Sequence, residues 1–284
     1  MVSVEDLELF DLFQWLGKGR LAASLANCNQ STVSRGTMRV HDCFRGGLGP
    51  AGRAAPGQVS DQLLAMERKI HQLHRFIRQS RLRLHSTHWT NQILQSRLPE
   101  AWIVNPLQCV EPCVDAIELL DCHVIDALIT EGIQRPTDDD ERYTCFDLYQ
   151  SPVQLVASPG SVLAHERGLS LGDVGRLAQI APQDYMCRQA KECAKQLFHA
   201  VFEPNAGLED RSWLAVMAWS IPTFSLVDTL VVPVDYGIDY SHRYVESLVV
   251  LKGNDSMPAV YQLVEYLRSI FHSLAKQGMA IAVN

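Results

Sequence analysis

No stretch of this 284-residue chain approaches 18 consecutive apolar residues, so no bilayer-spanning helix is expected. The first twenty residues have no basic run leading into an apolar core. They carry Glu5, Asp6, Glu8 and Asp11 instead and do not read as a secretory leader. The expected location is cytoplasmic, with no membrane partner. G-x-S-x-G, the P-loop, G-x-G-x-x-G and H-E-x-x-H are all missing, and with them the commonest signatures of acyl transfer, nucleotide binding and zinc proteolysis. The expectation is a protein that is not an enzyme and holds no cofactor. Eight cysteines are present, yet none form C-x-x-C and none group with histidine at zinc spacing. Cys109/Cys113 and Cys187/Cys193 are the nearest pairs. Reduced thiols and no metal site are expected, with Arg188 and Lys191 beside Cys187 the single hint of an electropositive setting. No internal repeat is evident.

Hydrophobic residues at 47% and charged residues at 20% describe an ordinary folded chain, of a length that suits two or three domains. The net charge of −7 is unevenly spread. Residues 1–97 hold 13 Lys/Arg against 7 Asp/Glu, and the remainder 12 against 25. A basic N-terminal part on an acidic body fits a DNA-contacting end joined to a sensing domain, although a basic helix can also be a plain solvated face.

Apolar residues at Leu7, Leu9, Phe10, Phe13 and Leu16 recur at helical spacing. After Gly17 and Gly19, Leu21–Ala26 predicts a short helix whose alanines admit a close neighbour. Asn27–Asn29 make a polar turn, and Asn29 suits the cap of a third helix from Gln30. Two short helices about a tight turn make a helix-turn-helix. The third loads its first turns with Gln30, Ser31, Thr32, Ser34 and Arg35, groups that reach base edges and phosphates; only Val33 and Met38 are expected to look inward. Residues 44–58 are rich in Gly and Pro, a loop or slight wing. A long helix from about Ser60 to Arg78 alternates apolar and basic positions and is expected to pack on a second copy of itself, with His71 and His74 exposed. From residue 81 the pattern becomes strand-helix-strand: 81–87 as a basic, alternating strand, then helix, strand at 101–106, helix, and strand at 124–132. Residues 146–160 read as a strand pair or as one long bent strand crossing between lobes. A strand near 243–253 and an amphipathic helix from Pro258 to Lys276 close the chain.

The residues Leu9-Phe10, Ala22-Ala23 and Gln30-Ser31-Thr32-Val33-Ser34-Arg35 resemble the N-terminal motif of LysR-type transcriptional regulators. Ala26, Asn29, Gly36 and His41 depart from that pattern, as does the Gly-rich stretch 46–57. The resemblance implies a winged helix-turn-helix over 1–58, a linker and dimerisation helix over 59–80, and an effector-binding domain over 81–284. That last domain is expected to be a two-lobed α/β fold of the type 2 periplasmic-binding-protein kind, with lobe I at 81–150 and 256–284 and lobe II at 151–255. The implied partners are double-stranded DNA, a small-molecule inducer, expected to be anionic, and further copies of the chain as a homodimer or homotetramer.

Candidate DNA contacts are Lys18, Arg20, Gln30, Ser31, Thr32, Ser34, Arg35 and Arg39. In open α/β domains ligands sit beyond the carboxyl ends of strands, so the candidate effector contacts are Ser86, Thr87, Trp89, Thr90 and Thr130, with Gln183, Asp184, Ser220 and Thr223 in the second lobe. Each of these is also readable as a simple helix cap. Three alternatives stay open: a small-molecule-binding protein whose helix-turn-helix has lost DNA, an uncharacterised enzyme, and a solute-binding protein.

Overall fold

The computed structural model describes residues 2–45, 58–94, 98–106, 116–157, 214–218, 232–233, 243–276 and 281–282. They fall into two compact units, each assembled from several chain segments. The first holds Met1–Ile129, Asp138–Thr144 and Val249–Leu263; the second holds Thr130–Thr137, Cys145–Leu248 and Val264–Asn284.

The first unit begins with three helices, α1 (Val4–Leu16), α2 (Gly19–Leu25) and α3 (Gln30–Arg45). Ser3 Oγ accepts the Asp6 N–H and caps the start of α1. Gly17, at φ 66°, ends it and donates to the Phe13 carbonyl, a left-handed cap that suits glycine. Leu7, Phe10 and Val40 form the core between α1 and α3, and Leu64 of α4 (Gln58–Arg78) packs on it. Strand β1 (Leu82–His85) lies between β2 (Trp102–Val104) and β3 (Ala127–Glu131), parallel to both, with Leu82 opposite Trp102 and Leu84 opposite Ala127. Helices α5 (His88–Leu94) and α6 (Ala116–Asp121) follow β1 and precede β3. This is the β-α-β order expected for lobe I.

Two expectations are corrected here. Residues 81–87 read as a basic, alternating strand, yet Leu82, Arg83, Leu84 and His85 are all buried. A strand paired on both edges and covered on both faces has no solvent side, and α1 covers the face that Arg83 and His85 take. Helix α4 is also unusual. It buries Arg68 and Gln72 and exposes Leu63, Met66, Ile70, Leu73 and Ile77. Gln72 Nε2 donates to the Ile125 carbonyl at 3.1 Å and its Oε1 accepts from Asn254 Nδ2 at 3.1 Å. Arg75 forks onto Asp126 at 2.9 and 2.8 Å. His74 is exposed as expected, whereas His71 is half-buried.

In the second unit the long reading of 146–160 holds: β4 (Tyr143–Ala157) is a single strand of 15 residues that starts in the first unit. It pairs antiparallel with β5 (Leu214–Ala218), β6 (Val232–Pro233) and β8 (Ile281–Ala282). Strand β7 (Arg243–Leu251) returns the chain to the first unit, and α7 (Pro258–Lys276) ends with Phe271 stacked on Tyr149 at 4.4 Å.

Candidate nucleic-acid interface and small-molecule site

Helix α3 turns two different faces outward and inward. Val33, Gly36 and Val40 are buried against α1, while Gln30, Ser31, Ser34 and Arg35 are exposed and Thr32 is half-buried. Gly36 is required by that packing. A Cβ there would lie 3.1 Å from Leu9 Cδ1 and 3.2 Å from Asp6 Oδ1, so the residue that weakens the helix also lets α1 and α3 close on each other. Gly19 does the same at the start of α2: its missing side chain leaves room for Gln30, whose Cγ would sit 3.3 Å from an added Cβ. The turn into α3 passes through Asn27 at φ 52°, a position asparagine tolerates, and the Asn29 carbonyl accepts the first helical amides, from Thr32 and Val33.

Each expected DNA contact has a definite place. Lys18 and Arg20, at the start of α2, are exposed. Arg35 Nε donates to the Ser31 carbonyl one turn back at 3.3 Å, leaving the rest of its guanidinium outward. Arg39 is engaged within the protein: Nε and Nη2 fork onto the two carboxylate oxygens of Asp6. That pairing holds Asp6 below the ordinary carboxylate range. Met38, expected inside, is 61% exposed on the face of Arg35, because the inward stripe runs Val33, Gly36, Val40 and passes it by. Sequence reasoning missed it by counting apolar character before helical angle. The Gly-rich stretch 46–57 lies outside the described residues.

The face of α1 turned away from α3 carries a buried charge cluster. Asp11 accepts from Arg68 Nε at 2.8 Å and from Arg83 Nη1 at 3.4 Å. Arg83 also donates to the Val124 carbonyl, and its amide donates to Asp126 Oδ2. Burial, followed by the neighbouring Arg75 charge, pushes the Arg83 guanidinium down to about 10, so it remains a cation at neutral pH. Burial likewise opposes the charge on Arg75, but the Asp126 carboxylate outweighs it and holds Arg75 above its usual range. Trp15 Nε1 donates to His85 Nδ1 at 3.1 Å, and burial pushes that imidazole down to about 4.

At the carboxyl end of β1, Ser86 is 1% exposed and its Oγ has no hydrogen-bond partner among the described residues. Its backbone is fixed by Asn105, whose Oδ1 accepts the Ser86 N–H at 2.8 Å. Asn105 is in turn held through its carbonyl by Asn91 Nδ2 at 2.7 Å. The Thr87 hydroxyl accepts the Thr90 N–H at 3.3 Å, which is the helix-cap role. The site therefore separates two hydroxyls that look equivalent in sequence. Asn91 and Asn105 were not among the expected residues; the Asn-Pro pair after the second strand is the signal that marks the turn. Thr90 is buried beside them, and Thr130 is buried in the second unit. The side chain of Trp89 and all of Gln183, Asp184, Ser220 and Thr223 lie outside the described residues. Among the described residues no group of three or more His, Cys, Asp or Glu is arranged to hold a metal ion, and no helix is long and apolar enough to cross a membrane.

No protein-family model matches the sequence, and no curated protein matches it either. Solved structures do. A probable transcriptional regulator from Pseudomonas aeruginosa is 16% identical, with 94% of this chain and 96% of that one aligned at a TM-score of 0.55. The regulatory domain of MetR, a LysR family regulator from N. meningitidis, is 12% identical, with 72% of this chain and all of that one aligned at 0.52. Full-length CbnR in complex with its target DNA is 13% identical, with 94% of this chain and 99% of that one aligned at 0.50. At these identities the likeness establishes the fold alone: an N-terminal helix-turn-helix followed by an α/β domain, as in those structures.

Proposed function

We propose that the protein is a LysR-type transcription regulator that binds double-stranded DNA through α3 and answers to a small molecule taken up at Ser86. The observation that carries the first half is the outward face of α3. Its first turns hold Gln30, Ser31, Ser34 and Arg35 exposed, while the opposite face is fixed by Gly36 against α1. Amide, hydroxyl and guanidinium groups on a rigid, exposed helix start suit the donor and acceptor pattern of the major groove. Met38 extends the face with an apolar contact for a thymine methyl group. Lys18 and Arg20 suit phosphate. Arg39, tied to Asp6, is a poorer base reader and serves to hold α3 on α1. The DNA-bound state of the structural neighbour CbnR is consistent with this use of the fold.

The second half rests on the unpartnered Ser86 hydroxyl among Thr90, Asn91 and Asn105. A buried hydroxyl without a partner is costly unless something completes it. The hydroxyl and amide groups described around it suit a small carboxylate or other polar anion. The exposed apolar side of α4 supports a homodimer that pairs two such helices.

The test is a shift assay with the DNA upstream of the chain's own gene. Wild type should retard it specifically. Arg35→Ala and Gln30→Ala should each weaken specific binding by about 1–3 kcal/mol if either makes a bidentate base contact. Unchanged affinity in both folded variants would remove α3 as the reading helix.

A further inference from the structure

We propose that strand β1 is the mechanical link between the sensing domain and the DNA-reading helices: α1 is seated on it along a strip of three rungs, and occupation of Ser86 acts on DNA binding through that strip. Only the ligand end of this inference rests on the reading of Ser86 given above.

Side chains on one face of an extended segment recur every second residue, and those on one face of a helix every three or four. Arg83 and His85 of β1 form the first set, and Arg81, at φ 56° just before the strand, adds its side chain to their row; Glu8, Asp11 and Trp15 form the second. They meet rung by rung. Arg81 Nε donates to Glu8 Oε1 at 2.9 Å, Arg83 Nη1 to Asp11 Oδ2 at 3.4 Å, and Trp15 Nε1 to His85 Nδ1 at 3.1 Å. Two of the rungs match cations on or just before the strand with carboxylates on the helix. The strip deepens along its course, from the half-exposed Arg81–Glu8 pair to the buried Trp15–His85 pair. Its deep end adjoins Ser86, the residue after His85.

The helix end of the strip leads to DNA. Trp15 is in the last turn of α1, two residues before the left-handed cap at Gly17, and Gly19 abuts the side chain of Gln30. Arg81 Nη2 also holds the carbonyl of Leu25, at the end of α2. The joint can open without stranding Asp11, since Arg68 of α4 keeps its own hydrogen bond to that carboxylate. In the proposal, this seated α1 stands against a released one, the two-state element that coupling between sites requires.

Docking is tested first in the wild-type protein. The Trp15 indole N–H, identified by its absence from the spectrum of Trp15→Phe, should be protected from hydrogen exchange at neutral pH; exchange at the rate of a free indole overturns the proposal. Function is tested with Trp15→Phe, His85→Leu and the double variant, measuring Kd for the upstream DNA with no small molecule added. Each single change should move Kd by about threefold to tenfold, and the double should depart from their product by a similar factor. The milder Arg81→Ala, on the half-exposed rung, should move Kd in the same direction without loss of fold. Stability changes accompanied by an unaltered Kd in all of them would mean the strip is only structural, and the proposal fails. Because no ligand enters the cycle, its outcome is separate from whether Ser86 binds one.

Discussion

Trp15 and His85 stand 70 positions apart in the chain and share one hydrogen bond, indole N–H to imidazole Nδ1, at 3.1 Å. The acceptor must be unprotonated, so the proton of the neutral ring is on Nε2. The carboxylate and cation pairs around this contact, Asp11 with Arg68 and Arg83, and Asp126 with Arg75, are mutually compensated.

The burial of His85 sets a pH dependence. His85 titrates near 6.5 in the unfolded chain and is pushed down to about 4 by burial in the folded one. The unfolded chain therefore takes up the proton first as pH falls. The stability that goes with a neutral His85 is complete above about 6.5 and is lost between there and about 4, at up to roughly 1.4 kcal/mol per pH unit. Urea unfolding at several pH values should show this slope, and His85→Gln, which keeps an acceptor but cannot titrate, should flatten it. Equal slopes in the two proteins would mean that His85 is not held neutral.

Gly36→Ala separates packing from propensity. Alanine in a helix interior gains about 1 kcal/mol over glycine. Here its Cβ would press on Leu9 and Asp6, at 3.1 and 3.2 Å, and overpacking costs about 1–3 kcal/mol. The expected outcome is a lower melting temperature and a net loss of about 1 kcal/mol. A higher melting temperature would show that α1 and α3 can separate freely.

The exposed apolar side of α4 is expected to be covered by a second copy. Ile70 and Ile77 are 65% and 74% exposed and lie one heptad apart, the spacing of a helix-pair seam. Ile70→Glu with Ile77→Glu should convert a dimer to a monomer by light scattering while leaving the fold intact by circular dichroism. A monomeric wild type at micromolar concentration would remove the dimer reading.

Ser86→Ala deletes a buried hydroxyl that has no partner among the described residues. In the unliganded protein this should be neutral or stabilising, by up to about 1–3 kcal/mol. In a thermal-shift series with small carboxylates, a compound that raises the wild-type melting temperature should raise that of Ser86→Ala much less. An equal rise would place the binding site elsewhere, and Thr87, already capping α5, would not rescue it.

Much of the fold was legible because its periods are local. Leu7, Leu9 and Phe10 announced α1, the Asn27–Asn29 turn announced the helix-turn-helix, and the alternation of strands and helices after residue 81 announced the parallel β1–β3 group. What was not legible depends on neighbours distant in sequence. Nothing near Arg83 and His85 in the chain tells of their partners Asp11 and Trp15. Gly36 looked like a defect until α1 lay against it. Met38 was misjudged for a local reason, its helical angle. At the candidate site, the Ser86-Thr87 pair was visible but its division of labour was not: which hydroxyl caps and which is left over is decided by Asn105, on another strand.

Helix α4 is tied at both ends of its polar side, by Arg68 to Asp11 and by Arg75 to Asp126. A chimaera that grafts residues 1–80 onto a foreign α/β domain would lose Arg81, Arg83 and His85 together, and with them the strand-side partners of Glu8, Asp11 and Trp15. Such a graft would carry a buried carboxylate with one cation instead of two and an indole N–H facing no acceptor. The three-helix segment and the segment Arg81–His85 are therefore a matched pair, and exchanging either one requires recoding the other to suit it.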